Sequence, residues 1–90
     1  MEEITEELEI VNPQGLHARP AAALVKTVLQ FQSEVHIAKN GRRINAKSIM
    51  GLLTLAAAQG ARMQVICKGP DAHEAMDAVR ALVENGFGES

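Results

Sequence analysis

The chain has 90 residues, a length that supports one small domain with a single core. Hydrophobic residues make up 47% of it, but only two residues are aromatic, so a stacking platform for nucleic-acid bases is lacking. The net charge of −2 argues against binding driven by attraction to nucleic acid or anionic lipid. We therefore predict a single domain over residues 1–90, with no nucleic-acid partner and no membrane insertion.

The N-terminal residues and the single cysteine indicate a compartment. The chain begins Met-Glu-Glu-Ile, whereas a signal peptide needs basic charge followed by an apolar run. No stretch approaches the ~18 apolar residues of a membrane span, so we expect a cytoplasmic protein. Cys67 is alone, which excludes an internal disulfide and a cysteine-based metal cage. We expect it to be a half-buried structural thiol on a strand.

The first third of the chain predicts a strand and a helix. Leu8 and Ile10 alternate with glutamates, which is typical of a half-buried strand. From Ala18 to about Gln30, apolar residues recur at helical spacing. Pro20 fits this helix because the N–H groups of a first turn have no partner within the helix. The predicted apolar face consists of Ala21, Leu24, Val25, Val28 and Leu29.

A hairpin and a second helix are predicted next. Val35 and Ile37 indicate a second strand, and Asn40-Gly41 is the strongest short hairpin signal because both residues tolerate positive φ. A short third strand over residues 43–45 follows. Ser48 is a preferred N-cap residue for a helix that Gln-Gly at 59–60 closes. The predicted apolar face of that helix consists of Ile49, Leu52, Leu53 and Ala56.

The last third predicts a strand and a longer helix. Alternation over residues 63–67 indicates a fourth strand, and Asp71 with Glu74 matches a variant of the capping box. The final helix ends near Asn85-Gly86, and its predicted buried face consists of Ala75, Met76, Val79, Leu82 and Val83. The order βαββαβα, with one-sided helices and alternating strands, predicts an α+β fold whose helices cover one sheet face.

Residues 15–20, Gly-Leu-His-Ala-Arg-Pro, place the imidazole of His17 where the first helix begins. The unpaired N–H groups and the dipole of a helix N-terminus favour an anion there, and the Arg19 guanidinium suits phosphate oxygens. One interpretation is that a ring nitrogen takes up a phosphoryl group and later releases it. The other is that His17 only caps the helix.

The other two histidines, His36 and His73, are expected to be solvated surface residues. The sequence contains no His-Glu-x-x-His spacing, so we predict no metal site. It also contains no Gly-x-Ser-x-Gly elbow, which argues against a serine hydrolase. No cofactor is predicted.

Two segments resemble the HPr family of phosphocarrier proteins of the bacterial phosphotransferase system. Residues 15–21, Gly-Leu-His-Ala-Arg-Pro-Ala, resemble the active-site signature of that family. Residues 45–53, Asn-Ala-Lys-Ser-Ile-Met-Gly-Leu-Leu, resemble its regulatory-serine region. The spacing of the two segments and the order of elements also agree, so the resemblance covers nearly the whole chain.

The resemblance implies an open-faced β-sandwich, with a four-stranded antiparallel sheet and three helices on one side. It implies that enzyme I, charged by phosphoenolpyruvate, phosphorylates His17 on Nδ1, and that an enzyme IIA-type acceptor then receives the group. Arg19 would steady the phosphate, and the backbone N–H groups of Ala18 and Arg19 would cradle it. The protein would be a phosphoryl carrier rather than an enzyme with a small-molecule substrate.

The resemblance also implies partner docking on the exposed sides of the first two helices. Carried over, this points to Leu16, Ala18, Ala22, Lys26, Ile49, Met50 and Leu53, although Ile49 and Leu53 are alternatively core residues. Phosphorylation of Ser48 by an HPr kinase/phosphorylase would add negative charge to that surface and repel an acidic partner. On local grounds alone, Ser48 is simply an N-cap.

Some residues depart from the best-known sugar-transport members. Gln14 stands where those members often carry a smaller Asn or Ser that reaches the phosphate, which puts this contact in doubt. Asn12 and the ending over residues 83–90 resemble the nitrogen-related branch, whose outputs are control of metabolism or ion transport. The main alternative function is a regulatory binding protein that acts through Ser48 and partner docking without phosphoryl transfer. We expect a monomer in either case.

Overall fold

A computed structural model of the chain describes residues 2–89. Over this range the strands are β1 (Glu3–Glu9), β2 (Glu34–Lys39), β3 (Arg42–Asn45) and β4 (Arg62–Lys68). The α-helices are α1 (Ala18–Val28), α2 (Ile49–Thr54) and α3 (Ala72–Glu84), and a 3-10 turn (Gly86–Gly88) follows α3. The strands form one antiparallel sheet in the order β1-β4-β2-β3. The predicted βαββαβα order and α+β fold are confirmed.

Strand β4 runs through the middle of the sheet and carries much of the core. Alternate residues of this strand are buried on one face of the sheet, namely Met63, Val65 and Cys67. The residues between them point to the other face. The pairing register sets Leu8 opposite Met63 and Ile37 opposite Val65, so apolar side chains from three strands share one face. Burial of such side chains is the main favourable contribution to folding in a chain of this size.

Cys67 is fully buried rather than half-buried as predicted. Burial raises the pKa of its thiol to about 11, so the thiolate is disfavoured at neutral pH. The side chain therefore acts as a small apolar core residue.

Two local predictions are confirmed in detail. Asn40 and Gly41 have φ angles of 52° and 81°, and the hairpin they form sets Lys39 opposite Arg42. Ser48 precedes α2 as its N-cap, and its hydroxyl oxygen accepts a hydrogen bond of 3.0 Å from the N–H of Gly51.

Helix α1 ends at Val28, two residues before the predicted end. The N–H groups of Gln30 and Phe31 donate to the carbonyls of Thr27 and Val28, three residues back, so the chain tightens after the last helical turn. This rotates Leu29 away from the core, and the prediction that it is buried is wrong: it is 62% exposed. Phe31 packs against the core instead.

Helix α2 is also shorter than predicted. It ends at Thr54, because the N–H groups of Leu55 and Ala56 donate to carbonyls three residues back and Ala56 turns the chain with a φ of 51°. In a helix of six residues the core face is narrow, and Leu52 and Leu55 occupy it. Ile49, Leu53 and Ala56 are exposed. Of the two alternatives for Ile49 and Leu53, the core position is therefore wrong, and so is the prediction that Ala56 shares the apolar face.

The predicted capping box at α3 is not formed. The Asp71 carboxylate accepts hydrogen bonds from the N–H groups of Gln32 and Ser33 and from the Ser33 hydroxyl, and it does not cap its own helix. The hydrogen bond from the Ser33 side chain, followed by that from Gln32, lowers the pKa of Asp71. Asp71 therefore ties the segment before β2 to the start of α3.

Gly15 lies where the loop before α1 packs against the segment after α2. Its φ is 71°, and an added Cβ would lie 2.3 Å from the Ala57 carbonyl oxygen. Next to it, the N–H of Leu16 donates a hydrogen bond of 2.8 Å to the same oxygen. Only glycine allows both the left-handed backbone and this close approach.

We expect Gly15→Ala to lower the free energy of unfolding by about 2–4 kcal/mol, since left-handed strain and a backbone clash add together. Chemical denaturation measures this directly. Gly41→Ala is the matched control, because Gly41 also has a positive φ but nothing lies within 4 Å of an added Cβ. That variant should lose only about 1 kcal/mol. Equal losses in the two variants would show that the close approach to Ala57 contributes nothing.

Candidate functional site

His17 is the N-cap residue of α1, and its side chain makes no capping hydrogen bond to that helix. Its backbone is extended, with φ −85° and ψ −168°, and its side chain is 36% exposed. Among residues 2–89, the N–H groups of Ala18 and Arg19 have no acceptor, and Pro20 has no N–H to offer. The sequence thus produces an open helix N-terminus directly beside the ring.

The Nε2 atom of His17 contacts the carboxylate of Glu89. The distances from Nε2 to Oε2 and Oε1 are 3.0 and 3.2 Å. Asn12 supports this carboxylate, because its Nδ2 donates hydrogen bonds of 3.0 Å to Glu89 Oε1 and 2.8 Å to the Gly15 carbonyl. These two acceptors fix the orientation of the Asn12 amide. Residues from the loop before α1 and from the C-terminal segment therefore meet at one imidazole.

The C-terminal segment reaches the site by folding back after α3. Gly86, Phe87 and Gly88 all have left-handed backbone, with φ angles of 62°, 58° and 78°. The Phe87 side chain is buried, and the N–H of Glu89 donates to the Gly86 carbonyl at 2.9 Å. Burial of one aromatic ring contributes about 2 kcal/mol, which offsets the cost of the left-handed backbone of Phe87. Phe87 therefore anchors the turn that carries Glu89 to His17.

Charges in the site favour an ionised Glu89. Burial acts to raise the pKa of this carboxyl, but the hydrogen bonds from His17 and Asn12 and the charges of His17 and Arg19 outweigh burial and lower the pKa overall. Arg19 is exposed and lines an open depression together with Gln14, His17 and Glu89. A cation, a helix N-terminus and a carboxylate thus surround the ring.

A second, more apolar depression also borders the ring. His17 borders it together with Gln14, Leu16, Leu53 and residues 56–58, which follow α2. Close by on α2, Met50 is 72% exposed and Ile49 is 40% exposed. On α1, Ala22 and Lys26 are exposed as well. His17 therefore lies between a charged depression and an exposed apolar surface.

The predicted site residues lie on α1, on α2 and in the loop before α1. Ala18 and Arg19 directly follow His17 as the first residues of α1, and Ser48 is exposed at the start of α2, which packs against α1. The prediction that Leu16 presents an exposed docking side chain is wrong, because it is 3% exposed and belongs to the core. The backbone contact to Ala57 pulls this residue inward.

Sequence reasoning missed Asn12 and Glu89 as site residues. In the sequence, Asn12 and the ending that contains Glu89 stand out only through their resemblance to the nitrogen-related branch. A signal for the latter was present: Phe87 is one of just two aromatic residues, and it stands between two glycines. An aromatic residue between two glycines, directly after a helix, indicates a turn that folds the following segment back onto the domain.

Two findings bear on other kinds of function. Within residues 2–89, no three His, Cys, Asp or Glu side chains cluster closely enough to hold a metal ion. Over the same range, no helix combines the length and the apolar character needed to cross a membrane. His73, the other histidine in an ion pair, is exposed and bonds to Glu2 at 2.7 Å.

Comparison with known proteins gives consistent matches. The sequence profile described as "PTS HPr component phosphorylation site" matches residues 4–85. The chain is similar to the phosphocarrier protein HPr of Xylella fastidiosa, with 49% identity over 92% of this chain and 93% of the relative. It is also similar to the crystal structure of HPr-C-His from Thermoanaerobacter tengcongensis, with 43% identity, coverage of 100% and 99%, and a TM-score of 0.90.

A further solved structure is an HPr dimer from Thermoanaerobacter tengcongensis. The two chains are 44% identical, and the alignment covers 99% of this chain and 100% of the HPr chain, with a TM-score of 0.78. Together with the profile match over residues 4–85, the fold and the placement of His17, these similarities define the family. The chain belongs to the HPr family of phosphocarrier proteins of the phosphotransferase system.

Proposed function

We propose that His17 accepts a phosphoryl group from enzyme I and passes it to an enzyme IIA-type acceptor. The observation that carries this proposal is the position of the ring at an open helix N-terminus, next to two N–H groups without acceptors among residues 2–89. Those N–H groups, on Ala18 and Arg19, and the Arg19 guanidinium would hold the three phosphate oxygens. Neutral imidazole is nucleophilic near neutral pH, so the ring itself is the acceptor.

Partial exposure suits a carrier. The side chain of His17 is 36% exposed, so a partner can reach the ring and the phosphate from outside. An exposed Arg19 holds the phosphate less tightly than a buried one would, because solvent screens its charge. This balance favours both uptake and release of the group.

Partner docking is proposed on the surface made by Ala18, Ala22, Lys26, Ile49, Met50 and Leu53, which we call the docking surface. All six are exposed; Ala18 follows His17 in the chain, and Leu53 borders the same depression as His17. Apolar anchors beside a lysine suit a transient interface with an acidic partner. Because Asn12, His17, Arg19 and Glu89 come from one chain, one copy contains a whole site, and we propose that the cytoplasmic carrier acts as a monomer.

We propose Ser48 as the site of a regulatory phosphorylation by an HPr kinase/phosphorylase. Its hydroxyl is at the N-terminus of α2 and already accepts a hydrogen bond from Gly51, so phosphate oxygens could replace this contact without unfolding the helix. Ser48 also directly precedes Ile49 and Met50. About two negative charges beside the docking surface would repel an acidic partner.

The first prediction concerns His17→Ala. Incubation with phosphoenolpyruvate and enzyme I should add one acid-labile phosphate to the wild-type protein and none to the variant, as measured by intact-mass spectrometry. His73→Ala is the matched control, because His73 is also ion-paired to a glutamate and lies in the first turn of a helix. It should be phosphorylated like the wild type. Enzyme I of the sugar branch and enzyme I of the nitrogen branch should both be tried. If neither phosphorylates the wild-type protein, phosphoryl transfer is refuted and regulatory binding alone is favoured.

The second prediction concerns charge at Ser48. Ser48→Asp should slow phosphoryl transfer from enzyme I by about tenfold at low salt, with a smaller effect at high salt, because the added charge opposes steering of an acidic partner. Stopped-flow or quench measurements at several salt concentrations would show this. Ser48→Ala removes the N-cap without adding charge, so it should lower stability by about 1 kcal/mol and leave the transfer rate unchanged. Equal slowing in both variants would contradict a charge effect.

A further inference from the structure

We propose that Glu89 is a positioning residue that keeps the ring proton of His17 on Nε2 and so leaves Nδ1 as the nucleophile. This inference rests on the proposed phosphoryl transfer, and it adds a role for Glu89, which the proposed function does not use. Glu89 lies beyond residues 4–85, the part of the chain that the family profile matches. Its carboxylate is 3.0 Å from Nε2 and only 18% exposed.

The direction of this hydrogen bond follows from the chemistry of the two groups. An ionised carboxylate has no hydrogen to donate, so an Nε2–Glu89 contact needs a proton on Nε2. The lowered pKa of Glu89 keeps the carboxylate ionised at neutral pH. Asn12 occupies one lone pair of Oε1 as a donor, which fixes the carboxylate in place. A neutral ring held in this way has its free lone pair on Nδ1.

No other titratable group faces the ring among the described residues. The two depressions beside His17 contain Arg19 and Glu89 as the ionisable neighbours, and the remaining lining residues are neutral. Arg19 can only donate hydrogen bonds, so it cannot hold a ring N–H. Among the described residues, Glu89 is therefore the titratable side chain whose contact selects the ring tautomer.

The same contact is useful during transfer. The Nδ1 lone pair forms a bond to phosphorus while the bond from phosphorus to the donor atom of enzyme I breaks, and that electron pair leaves with the donor. The proton stays on Nε2, so the product ring is a phosphorylated imidazolium. Its positive charge faces the Glu89 carboxylate, which stabilises it. This protonated ring is also the better leaving group when the next acceptor attacks, in the way that a carboxylate orients and stabilises a catalytic imidazolium elsewhere.

The test compares wild type with Glu89→Gln in two independent measurements. Gln keeps the size of the side chain and the tail anchor Phe87, but its amide can donate as well as accept, so it no longer selects one tautomer. Long-range ¹H–¹⁵N NMR of the unphosphorylated protein at pH 8, where imidazole is mostly neutral, reports which ring nitrogen carries the proton. Single-turnover transfer from phosphorylated enzyme I gives the rate.

We expect His17 of the wild type to carry its proton on Nε2 almost entirely, and Glu89→Gln to show a clear fraction on Nδ1. The transfer rate should fall about tenfold, in the range seen when a group that orients a functional histidine is removed. Glu2→Gln is the matched control, because Glu2 makes the same type of contact to Nε2 of the exposed His73. It should change neither the His17 tautomer nor the rate.

The results separate this inference from the proposed function. If wild type is phosphorylated and Glu89→Gln has an unchanged tautomer, or an equal or faster rate, the positioning role is wrong and phosphoryl transfer stands. A faster rate would mean that the carboxylate competes with phosphate for the helix N-terminus. If wild type takes no phosphate from enzyme I, the proposed function fails and the positioning role in transfer fails with it. The NMR result would then show only whether Glu89 fixes the ring proton.

Discussion

The contact between the loop before α1 and the segment after α2 supports the whole site. The Ala57 carbonyl accepts the N–H of Leu16, and Gly15 approaches the same oxygen more closely than any other residue could. With this loop fixed by backbone contacts, His17 does not have to cap its own helix. The ring is therefore available for chemistry, and the first N–H groups of α1 stay open to an anion.

This contact also explains why the two sequence segments that resemble the family occur together. The first segment supplies His17 and Gly15, and Gly15 packs against the Ala57 carbonyl. The second segment contains the start of α2, which ends at Thr54 and is followed by the turn that leads to Ala57. The predicted helix, closed by Gln-Gly at 59–60, would keep Ala56 right-handed, so the chain would not turn at that residue. The left-handed turn at Ala56 is thus part of how the site is built.

The sequence allowed the fold and the centre of the site to be predicted for physical reasons that are local. Alternation in β4, the Asn40-Gly41 turn and the Ser48 cap each depend on a few neighbouring residues, and all are formed. The errors arise where distant segments compete for a group. Asp71 bonds the segment at Ser33 instead of capping α3, and Leu16 is pulled inward by Ala57. Glu89 was missed because a contact across 72 positions leaves no periodic pattern in the chain.

The charges around His17 fit the requirements of a carrier better than those of a binding site. A site made only of Arg19 and a helix N-terminus would favour phosphate, and stronger binding would slow its release. Glu89 places its negative charge against Nε2, where it stabilises an imidazolium without donating any hydrogen bond to phosphate. It also reduces the net positive charge that holds the group. In the role proposed for it, the same carboxylate would stabilise the phosphorylated imidazolium and also reduce the positive charge that retains the group.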